Sequence, residues 1–273
     1  MSVLFRRFYQ AAAAIGLCLL VTACAPQTAA KRDLFVAYQQ KMKALGRLRT
    51  DREPSDVPYS NADLAEHFRR IAFFSYPGDT EHIPKPLTRW EGPINWAVFG
   101  TPADTTAVAK FMDRLSRLTR LRFRQVTQNE ANFLVMVLTE REQAAARAAL
   151  DDPDSRAFLD EFLGAVFDCG AIAEWSERRP VIESALIYLH GDLQGLYREL
   201  CFHEEIAQSL GLFNDDPTVR PSIFNDDDEF ALLTRHDELL LRILYDPRLR
   251  PGMTAREAMP IVRRIIRDVR PGR

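Results

Sequence analysis

The stretch Glu204-Glu205-Ile206-Ala207-Gln208 holds the side chains of this 273-residue chain best spaced for chemistry. A zinc helix of the His-Glu-x-x-His type sets two ligands four residues apart, so both lie on one helix face. The glutamate after the first ligand then activates a metal-bound water. Glu205 holds that position and is the candidate general base, while Glu204 and Gln208 hold the two ligand positions. Gly211 falls seven residues after Glu204, where a glycine readily ends a helix. The returning chain offers a third ligand position at Asn214, with Asp215 beside it as an alternative.

The residue types oppose a catalytic metal at these positions. Zinc takes imidazole, thiolate or carboxylate, normally from three protein groups in a catalytic site. Gln208 and Asn214 offer neutral amide oxygens, and no two of the five histidines are spaced i, i+4. The expectation is therefore no cofactor, with zinc as the alternative. Glu205, if buried, is expected to be held by hydrogen bonds, because an unpaired buried charge is expensive. His203 reads as a rim or core residue.

Downstream come Ser222-Ile223-Phe224, then Leu233-Thr234-Arg235-His236-Asp237 and Leu244-Tyr245. This region resembles the metzincin metallopeptidases. In them the zinc motif is followed by a Ser-Ile-Met type turn under the metal and a closing helix that opens Leu-Thr-x-x-Asp. Phe224 stands where the Met of that turn would be. The whole chain resembles a family of bacterial lipoproteins catalogued as domain of unknown function 2927. The residues that carry this likeness are Arg89-Trp90, the Glu204-Glu205…Gln208…Gly211 block, Ser222-Ile223-Phe224-Asn225-Asp226 and Leu244-Tyr245-Asp246-Pro247. The resemblance implies a fold distantly related to the zincin peptidases and supplies no activity. It implies an α+β, zincin-like, metzincin-type mixed sheet with an active-site helix and a C-terminal helical part.

The N-terminus reads as a targeting segment. Arg6 and Arg7 precede the apolar run Ala11 to Val21, which is too short to span a membrane as a stable helix. Val21-Thr22-Ala23-Cys24 matches the bacterial lipobox, which implies a signal peptide over 1–23 and lipidation of Cys24. Stable anchoring takes more than one acyl chain. Ala25 after the cysteine points to the outer membrane, facing the periplasm. Cys169 and Cys201 then remain, either as a disulfide in an oxidising compartment or as two separate buried thiols. The formal net charge of −2 gives no reason to expect nucleic acid. The expected partners are the membrane, through the lipid, and an envelope protein or peptide.

The elements that must position these residues follow from periodicity. After a tether over 24–30, an N-terminal helical segment spans 31–86 and the zincin-like domain 87–273. Lys31 to Leu48 has helical spacing with Leu34, Tyr38, Met42 and Leu45 on one face. Ser60 opens a second helix with a capping box. Strands are expected at Ile94 to Gly100, Leu121 to Thr127, Asn132 to Thr139 and Pro180 to His190. Helices are expected from Thr105 to Leu118, Glu140 to Leu150, Ser155 to Phe167, Leu193 to Leu210 and from Met253-Thr254 onward. The acidic runs Asn214-Asp215-Asp216 and Asn225 to Glu229 read as solvated turns, and Trp90, Trp96 and Trp175 as core anchors. The function expected is a lipid-anchored envelope protein whose degenerate, non-catalytic peptidase-like domain acts in binding. The alternative is a metal-dependent hydrolase with an atypical metal site.

Overall fold

Phe133–Leu138 is apolar and buried at all six positions, the pattern of a strand covered on both faces. Its residues divide by parity. Phe133, Val135 and Val137 face the larger core, while Leu134, Met136 and Leu138 face a smaller one. The same alternation puts Ala185, Ile187 and Leu189 on the first side and Leu186 and Tyr188 on the second. This strand centres a five-stranded sheet in a computed structural model that describes residues 27–75, 83–148, 150, 152–165, 168–176, 178–225 and 227–271. The lipobox Cys24 and the signal segment lie outside the described residues, as does Asp226.

The sheet strands are β1 (Ile94–Phe99), β2 (Phe123–Gln125), β3 (Phe133–Leu138), β4 (Cys169–Ser176) and β5 (Arg179–His190). Their spatial order is β2-β1-β3-β5-β4. The first four run parallel, and β4 pairs antiparallel with β5 at one edge. The helices are α1 (Gln27–Ala44), α2 (Asn61–Ala72), α3 (Pro102–Thr119), α4 (Glu140–Ala148), α5 (Pro153–Ala165), α6 (Gly195–Gln208), α7 (Arg235–Leu244) and α8 (Ala255–Val269). Buried residues of α4 and α5 belong to the smaller core, and those of the other six helices to the larger one. The architecture is therefore mixed α and β. No helix among the described residues is long and apolar enough to cross a membrane.

Several sequence expectations change at the borders. Helix α3 is capped by Thr101 and Asp104, with Pro102 in its first turn, rather than by Thr105-Thr106. Strand β4 was not expected. It is an edge strand, and its small residues and glycine give a weak apolar alternation. Helix α1 ends at Ala44 and buries Phe35 and Met42, whereas Leu34 and Leu45 are exposed. Segment 31–86 does not stand apart, because Leu64, Phe68 and Ile71 of α2 share the larger core. Trp90 and Trp96 are core residues; Trp175 is 36% exposed and stacks on Phe213.

Candidate functional site

Helix α6 is stapled at its middle to the sheet edge. A Cys169–Cys201 disulfide joins the first residue of β4 to the helix, with Cα atoms 5.8 Å apart. The far end of the helix is fixed by side chains that take its last carbonyls, which have no partner within the helix. Trp90 Nε1 donates to the Ser209 carbonyl at 2.9 Å and the Tyr245 hydroxyl to that of Leu210 at 2.7 Å. Arg89 in turn donates to the Leu244 and Asp246 carbonyls. Gly211 follows at φ +120°, where a Cβ would lie 2.2 Å from the Thr88 carbonyl oxygen, so only glycine fits. The Arg89-Trp90, Gly211 and Leu244-Tyr245-Asp246 motifs are one interlocked support for the end of α6.

The turn Ser222-Ile223-Phe224 is held by one carboxylate. Asp237 is fully buried and accepts from Ser222 Oγ at 2.6 Å, the Ile223 amide at 3.2 Å, and the Thr234 amide and hydroxyl, both at 2.8 Å. Thr234 and Asp237 are also the capping box of α7. The turn does not line the cavity described next. Its Phe224 carbonyl accepts from the Asp216 amide at 3.0 Å and so pins the loop that carries Asp215.

Helix α6 and that loop enclose a cavity of about 290 Å³, lined by Tyr38, Asp168, Cys169, Tyr197, Leu200, Glu204, Glu205, Gln208, Asp215 and Asp228. Glu204, Glu205 and Gln208 thus converge. Asn214 does not join them. It is 2% exposed, and its side-chain amide donates to the Arg70 carbonyl at 3.0 Å. The inward residue is its neighbour Asp215, which accepts from Gln208 Nε2 at 2.7 Å. Nor are the acidic runs solvated turns. Asp215 and Asp228 line the cavity, Asp216 pairs with Arg70, and Glu229 is buried against Arg220 and Arg49.

Five carboxyl groups line this cavity, and no lysine, arginine or histidine among the described residues does. Three of the five are satisfied. The Tyr197 hydroxyl donates to Asp168, the Tyr38 hydroxyl to Asp228, and Gln208 to Asp215. Burial, reinforced by these acidic neighbours, pushes both phenols well above their ordinary range, so they stay neutral donors. Glu204 and Glu205 differ. Among the described residues neither carboxyl makes a hydrogen bond or an ion pair. Burial first, and the repulsion of Asp215 second, raise both well above the usual carboxylate range. Glu205 is 8% exposed, so the expectation that hydrogen bonds would hold it is not met. Asp228 is raised too, mainly by burial.

His203, directly before the pair, belongs to the core. It stacks on Phe111 with ring centres 4.1 Å apart and accepts from the Leu233 amide at 2.9 Å. Burial depresses it to about 3. The cavity's donor set does not fit catalytic zinc. It has no imidazole, its one cysteine is in the disulfide, and what remains is an all-oxygen set of carboxyls with the Gln208 amide. No group of three His, Cys, Asp or Glu among the described residues is arranged to hold a metal ion.

Sequence reasoning missed Tyr38, Asp168, Tyr197 and Asp228. Only the acidic run ending at Glu229 gave a signal, and it was read as solvated. A family model described as "Protein of unknown function (DUF2927)" matches residues 61–264, about three quarters of the chain. Comparison with curated proteins found no match, and neither did comparison with solved structures.

Proposed function

The chain belongs to the DUF2927 family of proteins of unknown function, and from that premise we propose that it is a binding protein built on a metallopeptidase-like frame. The observation that carries this reading is the meeting of Glu204, Glu205, Gln208 and Asp215 in one cavity whose described lining has no imidazole and no free thiolate. The helix after the last strand, the glycine bend and the Asp237-held turn support a zincin-like, metzincin-type ancestry. Strand β4 supports a peptide ligand. It is the sheet's edge, paired among the described residues only with β5, and its first residue, Cys169, lines the cavity. An extended segment can add to such an edge through main-chain hydrogen bonds while its side chains fill adjacent pockets.

The reading includes a lipid anchor on Cys24 that holds the domain at the outer membrane, facing the periplasm. The Cys169–Cys201 bridge supports an oxidising compartment. Labelling with a radioactive fatty acid tests the anchor: the intact chain incorporates label and Cys24→Ala does not. Label retained in Cys24→Ala contradicts it.

A second reading, a metal-dependent hydrolase with Glu205 as general base, is favoured by the free Glu205 carboxyl beside the oxygen atoms of Glu204, Gln208 and Asp215. Natively purified full-length protein separates the two. The binding reading expects peptide retained without cleavage. Stoichiometric metal, lost together with peptide cleavage in Glu205→Ala, overturns it.

A further inference from the structure

We propose that the cavity beside α6 receives an organic cation, the ammonium or guanidinium side chain of an extended protein segment laid along β4. This rests on the binding reading above and names its ligand class. Three features point the same way. The first is unbalanced charge: Asp168, Glu204, Glu205, Asp215 and Asp228 converge with no basic side chain among the described residues of the lining. Arg47, whose charge is felt by Tyr38 and Asp228, makes its hydrogen bond and ion pair with Asp227, outside the lining.

The second is the state of Glu205. A carboxyl this deeply buried normally has a partner, since leaving it without one is expensive. Glu205 has none among the described residues, yet it lines the cavity. A ligand that enters the cavity can supply the donor it lacks. Glu204, beside it and equally without a hydrogen bond, supplies a second acceptor. A guanidinium offers five N–H donors and an ammonium three, with no acceptor to clash.

The third is shape. About 290 Å³ lies at the small end of ligand cavities, which run from roughly 300 to 1,000 Å³, and it suits a single side chain. The accessible surface of the lining is almost wholly polar, so the cavity suits the charged head of a side chain rather than its methylene stem. The carboxyls take the head, and Cys169, the first residue of β4, belongs to the cavity wall.

The test is calorimetric titration of the full-length protein at neutral pH. The probes are N-acetyl-lysine amide, N-acetyl-arginine amide and, as a neutral match, N-acetyl-norleucine amide. Calcium and zinc chloride form separate arms. We expect the two cationic probes to bind and the norleucine probe not to. Affinity should fall at least tenfold in Glu205→Gln and in Glu204→Gln, each first checked for a native circular dichroism spectrum. Arg263→Gln, on the exposed face of α8, should bind as the original does.

Equal binding of the norleucine probe, or cationic binding indifferent to both glutamine variants, overturns the proposal. So does binding of metal alone. A longer neutral peptide that binds uncleaved and needs Glu205, when the cationic probes fail, sinks the cation assignment and leaves the binding reading standing. Metal-dependent peptide cleavage sinks both.

Discussion

Two buried carboxylates of this chain, Asp237 and Glu205, sit on consecutive helices in opposite conditions. Asp237 receives four hydrogen bonds, from Ser222, Ile223 and both polar groups of Thr234. It also stands in the first turn of α7, where the helix dipole favours a negative charge. Glu205 sits in the last turn of α6, away from that favourable end, beside other acids and with no donor among the described residues. The first arrangement builds structure. The second is stabilised by nothing within the described chain, and such positions are where function is found.

Removing the satisfied acid should have the largest effect. Asp237→Ala leaves four donors without their acceptor and frees the Ser222-Ile223-Phe224 turn. The expected loss is about 3–5 kcal/mol in urea unfolding. A loss under about 1 kcal/mol would erase the contrast with Glu205. Next comes the staple that fixes α6 to β4. Replacing Cys169 and Cys201 together by serine should lower stability by roughly 3–4 kcal/mol, from the loop-closure entropy of the 32-residue separation. Unchanged unfolding on reduction would contradict the bridge.

The smallest effect has the opposite sign. Burial and like charge raise the folded-state pKa values of Glu204 and Glu205, so the folded chain holds their protons more tightly than the unfolded chain. The stability this contributes is full below about pH 4.5, the ordinary glutamate value, and is lost as pH rises through the folded values. Glu205→Gln removes that loss. It should stabilise the protein by about 0.5–2 kcal/mol at pH 8 and by nothing at pH 4. Destabilisation at pH 8 would mean that Glu205 has a partner after all.

The sequence made the core strands and the α6 motif legible, because both are written locally. Six apolar residues in a row announce β3, and the i, i+4 spacing puts Glu204 and Gln208 on one face. Where the chain leaves regular structure, spacing stops deciding direction. Past Gly211 there is no helical period to say whether Asn214 or Asp215 turns inward. The choice is made by Arg70, whose carbonyl takes the Asn214 amide. Likewise Tyr38 and Asp228 meet across 190 residues of chain, and no local pattern can announce that pairing. Strand β4 was invisible for a related reason: a half-covered edge rich in alanine and glycine carries little apolar signal. The interlock of Trp90, Tyr245 and Gly211 joins residues far apart in the chain, which no local pattern announces either.

The most direct measurement is a carbon-13 titration of the glutamate side-chain carboxyls, with Glu204 and Glu205 assigned through their glutamine variants. The account predicts that both release their protons well above the range of exposed glutamates, and that a bound lysine amide brings them down. Two carboxyls titrating near 4.5 in the free protein would contradict it.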